Sequence, residues 1–372
     1  MITTGLDHLA ENGFKSLLGQ RVGVISNPSG VDRRYRHLVD LLHAHGVPVK
    51  GIFGPEHGFR GSAQDGASEG TAIDPRTGIT VFDAYGADED KWAQMFADSS
   101  AEVIVFDIQD AGARFYTYIW TLYDAMSAAA KLGLRFIVLE RPNPCGGKAS
   151  GPVMQPGFET FVGRKAIAQQ HGMTTGELAG FYNGEFLPRE LDLEVVPCLG
   201  WEREMTGRLE GVPWVAPSPN LPTPETALVY PGTCLFEGTN LSEGRGTTRP
   251  FELIGAPFLD YRWADGLDVS GVDFREAYFV PVLSKFSGES CAGVEVKPHN
   301  GFDAIETAVA MLIGARKYEG FAWKEQWIDK LSGSSRLRDM VDAGADETEI
   351  TESWSDELTA FELRRQPYLR HP

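Results

Sequence analysis

A mostly parallel α/β sheet wound from βαβ units, with a smaller α+β region after it, is the fold this sequence predicts. Three observations carry the prediction. The first half alternates short apolar runs with amphipathic stretches, the pattern of strands and helices in parallel-sheet units. A proline-rich segment from Pro213 to Pro231 interrupts that alternation. Beyond it, strands and helices follow one another without the earlier regularity.

Arg21–Ser26 reads as the first strand and ends in the turn Asn27-Pro28-Ser29-Gly30. His37–His45 has helical spacing and is closed by Gly46. Val49–Phe53 is a second buried strand, and it delivers Gly54-Pro55-Glu56-His57-Gly58-Phe59-Arg60-Gly61. Three glycines and a proline there fix a turn that leaves no room for a strand or helix to continue. Ser62–Gly78 is a polar loop of a length uncommon in compact domains unless it is functional. It leads to a strand at Ile79–Phe82. Asp88-Glu89-Asp90 opens a helix through Phe96, where acidic groups complement the helix dipole. Glu102–Phe106 is a strand ending in Asp107-Ile108-Gln109-Asp110, followed by a helix over Thr117–Lys131. Arg135–Leu139 is the next strand and ends in Glu140-Arg141-Pro142-Asn143. Thr174 and Glu177 form a capping box for a helix through Tyr182. Leu193–Pro197 suits a sheet edge, where proline is admitted. Pro213–Pro231 reads as an ordered crossover, and Phe236–Glu252 as a glycine-, threonine- and arginine-rich loop. Strands at Tyr278–Val282 and Gly293–Val296 and helices at Ala304–Lys317, Trp323–Leu331 and Ser355–Arg365 complete the α+β part. Neither an internal repeat nor a low-complexity tract is present.

Charge excludes several function classes. With 34 Lys+Arg against 52 Asp+Glu the formal net charge is -18, and no basic run offsets it. Such a chain is repelled by nucleic acid and by an anionic membrane surface, so neither is an expected partner. A pocket can still gather arginines around a small anion. The four cysteines, Cys145, Cys198, Cys234 and Cys291, form no CxxC pair, which removes a zinc signature and a dense disulfide framework. No apolar run nears the ~18–20 residues of a membrane span. The N-terminus lacks a basic region followed by an apolar one. A cytoplasmic chain with reduced thiols is the expectation.

If the strands are parallel, Asn27, Glu56-His57, Asp107–Asp110 and Glu140–Asn143 emerge on one rim, where open α/β sheets bind ligands. The usual cargo of that rim is a nucleotide, yet the first strand is followed by neither GxGxxG nor GxxxxGK[ST]. The rim offers acids instead. Glycoside hydrolysis needs one carboxylic acid to protonate the leaving oxygen and a second group to activate water or attack the sugar. Glu56, flanked by Phe53, Pro55 and Phe59, suits the acid role through desolvation. His57 is either a general acid or base or a turn residue bonded to backbone. Asp107 and Asp110 are second-carboxylate candidates, or caps and turn formers for the helix that follows. In Phe236–Glu252, three acids, two arginines and an asparagine lie among three glycines; arginine suits a bidentate grip on a carboxylate, and a salt-bridged loop is the other reading.

The stretches Gly54–Gly61, Phe106–Tyr118, Glu140–Pro144, Pro217–Thr223 and Tyr230–Glu252 together resemble the NamZ-like family, long catalogued as a domain of unknown function and known for exo-acting β-N-acetylmuramidases. The resemblance runs in the same order from about Gly5 to the C-terminus. It implies a Rossmann-like N-terminal domain (residues 1–226), a smaller α+β C-terminal domain (227–372) and an active site in the cleft between them. It implies release of terminal N-acetylmuramic acid from the non-reducing end of peptidoglycan fragments, without metal or organic cofactor. The expected partner is thus a small saccharide. The substrate's lactyl carboxylate would give Arg114, Arg245 or Arg249 an anion to hold. The expected catalytic groups are Glu56 as acid, with Asp110 first and Glu243 second as its partner. Arg245 and Arg249 would bind the anion, and His57, Arg60, Asp107, Arg114, Tyr116, Asn143, Asn220, Glu237 and Asn240 would contact substrate. The alternatives are an exo-glycosidase for another β-linked amino sugar, or a muropeptide-binding protein without catalysis. A cleft with two carboxylates favours hydrolysis; one carboxylate with several arginines favours binding.

Overall fold

The computed structural model describes residues 1–61 and 70–372, so the Ser62–Glu69 part of the predicted long loop lies outside the described residues. Strands β1 (Val22–Ser26), β2 (Val49–Gly54), β3 (Ala72–Ile73), β4 (Thr80–Asp83), β5 (Val103–Asp107) and β6 (Arg135–Leu139) come first. They are followed by β7 (Ser150–Val153), β8 (Ala168–Gln170), β9 (Leu193–Val196), β10 (Leu253–Ala256), β11 (Val272–Phe279) and β12 (Cys291–Pro298). The helices are α1 (Gly5–Glu11), α2 (Leu38–Ala44), α3 (Glu89–Ser99), α4 (Tyr118–Leu132), α5 (Thr175–Glu185) and α6 (Pro224–Thr233). After these come α7 (Tyr261–Asp265), α8 (Ala304–Arg316), α9 (Glu325–Ser332), α10 (Arg336–Ala343), α11 (Glu347–Glu352) and α12 (Ser355–Arg365).

The main sheet has the order β3-β4-β2-β1-β5-β6-β9, parallel throughout except for β3 against β4. Its strands are apolar on both faces because both faces are covered. Val22, Val24, Val103, Val105, Ile137 and Leu139 point to one side, against Leu6 and Leu9 of α1 and Leu38 and Leu42 of α2. The residues that alternate with them, Ile25, Ile104, Phe106, Phe136 and Val138, point to the other side, against Trp92 and Phe96 of α3, Leu122 and Met126 of α4 and Leu178 of α5. At Gly23 a Cβ would lie 2.8 Å from the Phe53 ring, so the glycine makes room for that ring on the adjacent strand. As predicted, β9 is an edge strand.

From β1 the chain builds outward through β2 and β4, then crosses back to lay β5, β6 and β9 on the other side. The topological switch point is therefore between β1 and β5, and the carboxyl ends of β1, β2, β5 and β6 share one rim. The later part of the chain forms an antiparallel sheet, β10-β12-β11, with α8 packed on α6. Val229, Leu235, Ile254, Val294 and Ile305 belong to the same apolar core as Phe106 and Phe136. Among the described residues no helix is long and apolar enough to cross a membrane.

Two stretches depart from expectation. The proline-rich crossover ends at Thr223, which caps α6 by accepting from the Thr226 N–H at 3.1 Å, and Pro224 opens the helix where no N–H is needed. The strand expected at Tyr278–Val282 runs instead over Val272–Phe279. Pro281 has no N–H to give a ladder, and this edge strand carries the exposed Asp273, Arg275 and Glu276, which hid its start.

Candidate active site

Glu56 follows β2 directly, in a turn that curls back on its own strand. A Cβ on Gly54 would stand 2.9 Å from the Phe59 nitrogen, and one on Gly61 2.5 Å from Pro28 Cγ, so both glycines are required by close approach. His57 has φ of 69° and Gly58 76°, which turns the chain sharply after the carboxylate. The Thr117 hydroxyl donates to Glu56 Oε2 at 2.7 Å, and the Tyr118 hydroxyl lies 3.0 Å from the Glu56 carbonyl and 2.7 Å from that of Pro217. The start of α4 thus fixes both the side chain and the backbone of Glu56.

The turn borders a cavity that Glu56, His57, Tyr116, Thr117 and Ser218 line together with Glu237, Arg245, Phe251 and Trp327. Its aromatic wall is a chain of edge contacts, Tyr116 to Tyr230 at 5.7 Å and Tyr230 to Phe251 at 4.8 Å. Glu237 sits in the short helical turn after α6; it accepts from Arg245 at 2.8 Å and Trp327 Nε1 at 3.4 Å. The Arg245 guanidinium lies 5.1 Å from the Phe251 ring centre. An adjoining opening shares Glu237, Arg245 and Trp327 and adds Glu243, Lys285 and Lys324. Lys285 donates to Glu243 and to the carbonyls of Phe236 and Leu241, each at 2.8 Å. Burial lowers its pKa against the opposing pull of Glu243. Among the described residues this opening holds three cations and two carboxylates, a local positive excess in an acidic chain.

Of the residues singled out from sequence, Glu56, His57, Tyr116, Glu237 and Arg245 meet at one cavity, with Glu243 beside it. The others have different surroundings. Asp110 is buried, accepting from His171 Nε2 at 3.0 Å and the Gly112 N–H at 2.8 Å, and it does not line the cavity. Asp107 is fully buried in a two-point pair with Arg141, at 2.5 and 2.9 Å. That pair, with Ser26 donating to the Asp107 carbonyl at 2.9 Å and Gln109 N–H to Ser29 Oγ at 2.9 Å, fills the switch point where a ligand was expected. Arg114 is buried and donates to the carbonyls of Pro152, Ile167 and Leu331. Asn143 closes a turn onto the Cys145 N–H at 2.8 Å. Asn240 bridges the Gly320 carbonyl and the Ala322 N–H. Arg249 pairs with Glu252 at 2.9 Å, and Arg60 with Asp40 and Asp74 at 3.0 and 3.1 Å. Asn220 lies between two residues that line the cavity, Ser218 and Leu221, without lining it.

Thr117, Phe161, Lys285 and Trp327 escaped notice in the sequence. Thr117 stands within a stretch already marked, and a hydroxyl next to two tyrosines was the available signal. Phe161, Lys285 and Trp327 come from segments without a motif and reach the site only through packing.

Two family models cover most of the chain. The one described as exo-beta-N-acetylmuramidase NamZ, N-terminal, matches residues 22–225, and the corresponding C-terminal model matches 228–370. The peptidoglycan beta-N-acetylmuramidase NamZ of Bacillus subtilis (strain 168) is 41% identical over 379 residues, covering 99% of this chain and 91% of that protein. Two solved structures of DUF1343 family proteins from Bacteroides fragilis NCTC 9343 are also similar. One has 33% identity and a TM-score of 0.90, the other 29% and 0.78, each covering 100% of this chain and 99% of its own.

Proposed function

We propose, since the chain belongs to the exo-β-N-acetylmuramidase NamZ family, that it is an exo-acting glycoside hydrolase releasing terminal N-acetylmuramic acid from the non-reducing end of peptidoglycan fragments. The single observation at the site that carries the reading is a cavity bordered by two carboxylates, Glu56 and Glu237, with Arg245 beside the second. Two carboxylates are what hydrolysis of a glycosidic bond requires, and more than a binding protein needs.

Glu56 is the general acid. Thr117 holds one of its oxygens, so the other carries the proton to the leaving glycosidic oxygen. Glu237 takes the place expected of Asp110 or Glu243, because Asp110 is buried with His171 and Glu243 is engaged by Lys285. Oriented by Arg245 and Trp327, Glu237 is the second carboxylate of the cavity and assists attack on the anomeric carbon. Arg245, Lys285 and Lys324 supply the positive potential that the lactyl carboxylate of muramic acid needs. The substrate with a free lactyl carboxylate is the peptide-free disaccharide; in a muropeptide that group is an amide, and the anion available is a carboxylate of the peptide. Four buried cysteines without a bridge suit a reducing compartment, so we place the enzyme in the cytoplasm, where it acts on imported fragments.

The test is incubation with the disaccharide of N-acetylmuramic acid β-linked to N-acetylglucosamine, with mass and anomer of the released sugar read by spectrometry and NMR. Release of N-acetylmuramic acid is expected. A first-formed anomer of inverted configuration makes Glu237 a base, and a retained one makes it a nucleophile. Glu56→Gln should lower turnover by about 10²–10⁴-fold; undiminished turnover removes Glu56 from the mechanism. Binding of the intact disaccharide without cleavage would leave only a binding protein.

A further inference from the structure

A second cavity borders the same carboxylate. Glu56, Thr117 and Phe161 line both it and the cavity described above, and its other walls are Ala84, Tyr85, Ala87, Trp92, Trp120 and Thr121, with Asp124 and Arg164. Its position has a chemical consequence. A general acid donates to the oxygen that joins the sugar being released to the sugar that leaves, so space for both must open on the acid from either side. Among the described residues, Glu56 is the one carboxylate that both cavities share.

Charge decides which cavity takes which sugar. On the first cavity's side Arg245 is paired with Glu237 and Lys285 with Glu243, which leaves Lys324 as the cation in excess among the described residues, and that side suits the anionic muramic acid. In the second cavity Asp124 and Arg164 form a pair at 2.7 Å and cancel one another. The rest of its lining is apolar or aromatic apart from Tyr85, Thr117, Thr121 and Glu56 itself. Flat apolar walls pack against the C–H faces of a neutral pyranose, while a few hydroxyl and charged groups meet its hydroxyls. An anionic sugar would gain nothing here.

Resting on the glycosidase reading, we propose that this second cavity is the leaving-group subsite and takes the neutral sugar that departs, held between the α3–α4 wall and Phe161.

Two variants test the subsite without touching the acid. Thr121→Phe fills the cavity from α4, at a side chain that is partly exposed, and Tyr85→Ala removes a wall in a loop. Each is assayed on the disaccharide and on N-acetylmuramyl β-fluoride, whose leaving group occupies no sugar subsite. The expected result is a loss of about tenfold or more in kcat/KM for the disaccharide, with the fluoride changed by less than about threefold, since binding energy from the departing sugar is used in reaching the transition state. Added N-acetylglucosamine should also inhibit the wild type more strongly than either variant. Equal changes on the two substrates, or no change on either, overturn the subsite. Failure of the wild type to turn over both substrates overturns the glycosidase reading instead. If Thr121→Phe does not fold, Tyr85→Ala decides alone.

Discussion

His37 should make this protein acid-labile through a single imidazole. It caps α2, its Nδ1 accepting from the Val39 N–H at 3.2 Å, while Nε2 donates to the Asn27 carbonyl at 2.9 Å. Both ring nitrogens are thus satisfied only in the neutral form; a proton added at Nδ1 would face an N–H. Burial, chiefly, lowers the pKa to about 4 against the bond to Asn27, which raises it. The folded value lies below the ordinary one of about 6.5, so the stabilising contribution is complete above pH ~6.5. It is lost as pH falls from there towards 4, because the unfolded chain takes up the proton first. The loss amounts to about 2 kcal/mol by pH 5 and about 3 kcal/mol by pH 4. His37→Asn keeps a good capping residue without a titrating group. Urea unfolding of both proteins at pH 7, 6, 5 and 4 gives the comparison, in which a constant cost of the substitution cancels. The variant's stability should fall less between pH 7 and pH 5, by about 2 kcal/mol. Equal falls in the two proteins would refute the assignment of His37 as a buried neutral imidazole. Activity should follow the same window, because Asn27 donates to the Pro217 carbonyl at 3.3 Å, and Tyr118 lies on both that carbonyl and that of Glu56.

Other outcomes follow from the same contacts. Asp110→Asn should leave kcat within a few-fold of wild type in the folded protein while lowering stability by about 1–3 kcal/mol, measured by urea unfolding beside disaccharide turnover, because its partners are His171 and a backbone N–H and not the cavity. Arg141→Ala strands the Asp107 carboxylate at the switch point and should cost about 3–5 kcal/mol, read as loss of soluble protein or of the unfolding transition. Arg245→Gln should raise KM for muramic acid-terminated disaccharide by about 10-fold or more, with a smaller effect on an analogue lacking the lactyl group; equal effects on both would assign Arg245 to orienting Glu237 alone.

Much of the architecture is legible in the residues. Apolar runs such as Val103–Phe106 and Arg135–Leu139 mark strands covered on both faces, and the polar residues after them do share one rim, since a parallel sheet puts every carboxyl end on the same side. The glycines around Glu56 are legible too, because close approach and a sharp turn leave few residue types that fit. What those rim residues do was not legible. Asp107, Asp110 and Glu56 are all acids at strand ends, but the first is neutralised by Arg141 and the second is held by His171. The third meets a threonine hydroxyl at an open cavity. Arg114 reads like an anion binder until the Leu331 carbonyl, 217 residues later in the chain, is found on its guanidinium. Glu237 and Arg245 lie in a loop whose sequence does not say what it faces. The sequence by itself determined the sheet, the helices on its two faces and the polar cargo of its rim, because periodicity and turn chemistry act over a few residues. The tertiary structure decided which carboxylates stand at a cavity and which are satisfied inside the protein, because a buried charge is satisfied by whatever distant segment the packing brings to it.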